Sequence, residues 1–176
     1  MESVRIIILC IASAVVYGIL HDQVTARACV EYFTIGHPPI FKTDDPTVLA
    51  VGWGILATWW VGIFLGILLA AAARVGRWPK RSMRSLIGPI IALIVFSALL
   101  ALAAGAAGFF LAKNGSIFLE EPLASRVPPH KHAAFLADLW AHQASYVAAF
   151  VGGVYIIVRV AWSRWFSERN SPQLGG

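Results

Sequence analysis

Charge is scarce in this sequence, and that scarcity excludes most soluble architectures. Only 13% of its 176 residues are charged while 59% are hydrophobic, against roughly a quarter charged and about half apolar in ordinary globular domains. Mean hydropathy is +0.73, the value of a chain that lives in a membrane. Cysteine is nearly absent as well. Cys10 and Cys29 would stand about 28 Å apart on one straight helix at 1.5 Å per residue, which leaves no disulfide framework. The sequence has no HExxH, no paired Glu-x-x-His and no CxxC, so zincin, ferritin-like dimetal and zinc-ribbon readings drop out. No internal repeat divides it. The formal charge of +5 does not point to nucleic acid, because in an apolar chain the side on which each charge sits matters more than the sum.

What is present is four long apolar segments, near residues 4–20, 47–73, 86–112 and 133–162. Each approaches or exceeds the roughly 20 residues that a helix needs to cross a hydrocarbon core of about 30 Å. In the first, "ASA" at Ala12–Ala14 resembles a signal cleavage site, but the apolar core before it, Ile6 to Ile11, falls short of the roughly 7–15 residues such a signal needs. The segment is therefore expected to stay as a membrane helix. The expected fold is all-α, an integral membrane four-helix bundle forming one domain over residues 1–176, with the first helix extended to about residue 35. Small residues at Gly52–Gly66, Leu100–Gly108 and Ala148–Val154 suit close helix packing.

Orientation follows from the basic residues. Arg74, Arg77, Lys80, Arg81 and Arg84 lie between the second and third segments, Arg5 precedes the first, and Arg164 and Arg169 follow the fourth. Positive residues gather on the cytoplasmic side, so both termini are expected there, and Trp53, Trp78, Trp162 and Trp165 fit the interfacial belt. The opposite side then receives all five histidines and Asp22, Glu31, Asp44, Asp45, Glu120, Glu121 and Asp138.

Two polar seams stand out on that side. If the first helix continues past Leu20, His21, Thr25, Ala28 and Tyr32 share one stripe, with Glu31 and Asp22 on its flanks; "GHPP" then ends the helix and holds His37 near the turn. On the fourth helix, Asp138, His142, Ser145 and Ala149 share a face at i, i+4, i+7 and i+11. An aspartate near a helix centre costs roughly 2.5–3.5 kcal/mol on insertion scales, so such residues turn inward to a partner. Simpler pairings are open too: Arg27 with Glu31 one turn apart, Asp22 with free backbone amides, and Asp138 with His142 as a register-fixing pair.

Imidazoles with carboxylates, at one end of a helix bundle, form the ligand set of zinc and of non-haem iron or manganese. The expected metal ligands are His21, Glu31, His37, Asp138 and His142, with Glu31 or Asp138 as the base for a bound water and Asp22, Tyr32, Ser145 and Tyr146 as hydrogen-bonding supports. The expected metal is zinc, with iron or manganese as alternatives. Such a site at a bilayer face implies a metal-dependent intramembrane hydrolase acting on a lipid or acyl substrate. Phe109, Phe110 and Phe118 are candidates to cover it. The rival readings are a transporter or channel unit, and an accessory subunit of a homo-oligomer or larger membrane complex. A through-route wants ionisable residues along the whole membrane depth, and here they gather at one end.

The stretch "YGILHDQVTARACVEYFTIGHPPIF", Tyr17 to Phe41, resembles the signature of a group of small bacterial four-helix membrane proteins, and "LWAHQASY", Leu139 to Tyr146, resembles that group's last helix. The resemblance covers about a fifth of the chain. It implies the bacterial inner membrane and the topology above, and it brings no activity and no assignment of site residues.

Overall fold

The computed structural model describes residues 1–169. Among them the chain is helical throughout, with no strand. The elements are α1 (Glu2–Ala28), α2 (Val30–Thr34), α3 (Pro46–Leu56), α4 (Trp59–Arg74), α5 (Arg84–Lys113), α6 (Leu123–Arg126), a 3-10 turn (Pro129–Lys131) and α7 (His132–Arg169). Four stretches are long and apolar enough to cross a membrane: Glu2–Ala28, Pro46–Arg74, Arg84–Lys113 and Pro129–Arg169. Their outward faces carry Leu20, Val24, Leu99, Leu102, Phe150 and Val151, each 60–69% exposed. Water does not tolerate so continuous an apolar surface, whereas lipid does.

Two of the expected continuous helices are interrupted. The first stops at Ala28, because Cys29 is extended (φ −151°, ψ 93°), and restarts as the five-residue α2. The second turns at Ala57 and Thr58 between α3 and α4; there Thr58 Oγ1 donates to the Gly54 carbonyl, a back-bond of the kind that bends helices. The start of α3 is conventional: Asp45 Oδ1 accepts from the amides of Thr47 and Val48 at 2.8 and 2.9 Å, with Pro46 in the first turn.

Helix α1 packs on α3 and α4, α5 lies along α7, and α4 meets α7. The approach of α1 to its partners depends on missing side chains. A Cβ at Gly54 would stand 2.5 Å from the Ile19 nitrogen, and one at Gly62 would stand 2.6 Å from the Ile11 Cα. Both collisions are with backbone, which cannot rotate away. Gly54→Val is expected to push α1 off α3 and cost about 1–3 kcal/mol, whereas Gly88→Ala, which meets nothing within 4 Å, should be neutral or stabilising by up to roughly 1 kcal/mol. Thermal unfolding of the two variants in detergent checks the contrast.

Side chains pack tightly in two layers. One, around Cys29, Tyr32, Phe33, Trp53 and Phe135, closes the end where α1 stops. The other, around Ile6, Leu69, Leu86, Ile156 and Val160, closes the end where α4 stops. The polar seams lie just inside the first layer.

Candidate metal centre

His142 stands on the buried face of α7 together with Asp138 and Ser145. Its Nδ1 lies 2.8 Å from the Asp138 carbonyl oxygen one turn back. A carbonyl only accepts, so Nδ1 carries the proton and, in the neutral ring, Nε2 carries the lone pair. That Nε2 lies 3.2 Å from Asp22 Oδ1, reached across from α1. Two electron-rich atoms so close need a proton between them, carried by the ring or by the carboxyl, or a metal cation.

A third donor completes the group. His21, adjacent to Asp22 in α1, sets its ring 4.5 Å from that of His142, and its Nε2 is buried with no hydrogen-bond partner among the described residues. His21, Asp22 and His142 each offer a ligand atom, and the three atoms lie within 4.8 Å of one another. Two ligands of one tetrahedral zinc at about 2.0–2.1 Å would stand roughly 3.3–3.4 Å apart, close to the spacing of Nε2 and Oδ1. The Nδ1–H to backbone carbonyl bond is the usual way a metal-binding histidine is aimed. Tyr17 stacks on His21 one turn below, with ring centroids 5.8 Å apart, and its hydroxyl is 2.7 Å from Ser145 Oγ.

No family model, curated protein or solved structure matches the chain. The geometry therefore has to carry the functional reading by itself.

The other residues picked out in the sequence fall around this cluster. Asp138 is buried and contributes its carbonyl, while its Oδ2 has no hydrogen-bond partner among the described residues. Glu31 lies outside the cluster: the break at Cys29 turns it to Lys131, 3.4 Å away, and to the Cys29 thiol, which donates at 3.4 Å. Arg27, one candidate partner for it, instead donates to Gln23 and Thr47. His37 also lies outside; its Nδ1 donates to the Tyr32 carbonyl at 2.9 Å, and its ring rests against Trp53. Tyr32 sits between, 5.0 Å from the His37 ring and 4.5 Å from that of His142. Together with Phe33, 5.8 Å from His142, it forms the cover over the cluster, whereas Phe110 and Phe118 are 67% and 72% exposed. Tyr146 lies at the cluster's edge, 45% exposed. Sequence reasoning placed Asp22 among the supports; the one signal for a closer role was the cost of leaving a carboxylate unpartnered in an apolar helix.

The groups in this outer layer are tuned by burial. Burial holds His37 below the ordinary imidazole value, so it is neutral at physiological pH. Burial and the bond to Glu31 push the Cys29 thiol up to about 12, which makes it a packing residue and not a nucleophile. For Glu31, burial works against the charge, yet its own backbone amide, Cys29 and Lys131 together lower its pKa below the ordinary 4.5. A carboxylate with a depressed folded pKa adds stability above its unfolded value, and that stability is lost as pH falls through the folded one. Glu31→Gln is thus expected to cost no more than about 1 kcal/mol at neutral pH, as for other partly exposed pairs, and nothing at acid pH. Unfolding midpoints compared at the two pH values check this.

Proposed function

We propose that this chain is a membrane protein in which His21, Asp22 and His142 hold one divalent metal ion, zinc first and iron or manganese as alternatives. The observation that carries the proposal is the convergence of three ligand atoms within 4.8 Å, one of them on a histidine whose other nitrogen is fixed by a backbone carbonyl. Three protein ligands leave a fourth position for water, the arrangement of a hydrolytic rather than a structural zinc. A metal held there would supply a water of lowered pKa, and Asp138, one turn from His142 on the buried face of α7, would take its proton. With such an ion bound, the site would supply hydroxide to an acyl carbonyl carbon, and the proton held at Asp138 would pass to the alcohol or amine as its bond to that carbon breaks. Glu31, tied to Lys131, is not needed for this step.

The four apolar stretches act as the spans of a bundle with both termini cytoplasmic. One feature supports that topology. Arg81 contacts Ser163, and the Met83 amide bonds to Glu2 Oε1, so the basic loop, the start of α1 and the far part of α7 share one end, opposite the metal cluster. A positively charged end is the cytoplasmic one.

The test uses protein reconstituted in lipid vesicles and presented with acyl esters. Release of free fatty acid is expected, lost on treatment with phenanthroline and restored by added zinc. Release that survives both the chelator and a His21→Ala change contradicts the reading.

A further inference from the structure

Between the two packed layers the helices do not close. A cavity runs from His21, Asp22 and His142 past Tyr17, Thr58, Leu65 and Ser97 to Leu69, Ile90 and Ile156, lined by α1, α4, α5 and α7. Along α1 it extends from Asp22 to Cys10, twelve residues or roughly 18 Å at 1.5 Å each. Polar atoms are concentrated at the cluster end, and the far end is aliphatic. Both ends are plugged: the cluster side by Tyr32 and Phe33, the far side by the layer to which Leu69, Ile90 and Ile156 belong. Access is therefore sideways. Tyr146 lines the cavity and is 45% exposed, which puts the opening on the lipid-facing surface of α7 beside the cluster.

A ligand for such a space needs one long apolar chain, a small hydrogen-bonding end, and a route in from the bilayer. Roughly 18 Å matches about fourteen methylenes, each advancing some 1.3 Å for a 1.52 Å bond in zigzag. A bulky headgroup has no room beneath Tyr32 and Phe33. We infer that the cavity receives one unbranched acyl chain of a small-headed lipid, with its carbonyl end at His21, Asp22 and His142 and its methyl end among Leu69, Ile90 and Ile156. The inference rests on the cluster being the chemical site, and it names the substrate class for it. The part of the substrate beyond the acyl group must be small or leave past Tyr146.

The experiment uses the full chain in lipid nanodiscs with two photoreactive palmitic acids, one bearing its diazirine near the carboxyl and the other at the methyl end. Crosslinks mapped by mass spectrometry are expected near Tyr17–Asp22 and His142–Tyr146 for the first probe, and near Leu69, Ile90 and Ile156 for the second. Ala14 lines the cavity between these ends, and Ala14→Phe, whose ring would fill it, should cut both labels about tenfold, equivalent to roughly 1.4 kcal/mol of affinity, with metal content unchanged. Labels spread evenly over lipid-facing residues such as Leu99 and Phe150 would overturn the inference, as would labelling indifferent to Ala14→Phe. Metal content measured on the same samples separates the two ideas. Ordered labelling without metal leaves the chain site standing and removes the metal reading; metal without ordered labelling does the reverse.

Discussion

Replacing His142 with alanine is expected to abolish metal binding at the proposed site and the hydrolysis proposed to depend on it. Its imidazole, a proposed ligand, is held in orientation by the Asp138 carbonyl at 2.8 Å, and it faces Asp22 at 3.2 Å. Loss of an orienting partner alone typically costs 10–100-fold in metal affinity, so loss of the ligand should cost at least about 100-fold. The change also strands Asp22, which is 5% exposed, and an uncompensated buried charge costs about 3–5 kcal/mol. A double change, Asp22→Asn with His142→Ala, removes that charge and should recover much of the stability but none of the metal. Metal titration of both variants, with unfolding followed in parallel, separates ligand loss from misfolding. A His142→Ala protein that binds metal like the parent would contradict the assignment.

Arg164→Met is expected to be the most destabilising single change at the other end of the molecule. Arg164 is 1% exposed, and among the described residues no carboxylate forms an ion pair with it. Its guanidinium instead donates to the carbonyls of Ala72, Val75, Trp78 and Pro79. Ala72 belongs to the last turn of α4 and Val75 is its C-cap, so the side chain satisfies carbonyls that a helix end leaves free and meets the negative end of the helix dipole. Hydrogen bonds from a charged donor are worth about 1.5–3 kcal/mol each, and the carbonyls left behind have no water to turn to. Methionine at this site should therefore cost at least about 3 kcal/mol. Lysine keeps the charge but lacks the planar fork, and should recover only part of it. Thermal unfolding of the two variants gives the order arginine, lysine, methionine. Equal midpoints for all three would mean that the capping contributes nothing.

The four long helices were legible because each needs only an unbroken apolar run, a property of neighbouring residues. The inward face of α7 was legible too: Asp138, His142 and Ser145 lie at helical spacing and are all buried. Which groups meet across helices was not. A helical wheel sets Asp22 100° from His21 but does not say that α7 comes in at an angle where both reach His142. Neither helix break carries a proline at the turn. Cys29 is simply extended, and that backbone choice sends Glu31 to Lys131 and folds Tyr32 and Phe33 over the cluster. Arg164 reads in the sequence as one more cytoplasmic-side charge; its capping role depends on a loop from a different span. The cavity is likewise invisible in the sequence, because it is the space left where four separate helices fail to meet.

The most direct test of the central claim is elemental analysis by mass spectrometry of detergent-purified protein that has never met an affinity metal column. The account predicts close to one zinc, iron or manganese per chain, lost in a His21→Ala, His142→Ala double variant that still unfolds cooperatively. A folded, metal-free parent protein, recovered from cells grown with ample zinc, iron and manganese, would contradict it and leave His142 and Asp22 as a hydrogen-bonded polar pair in an apolar core.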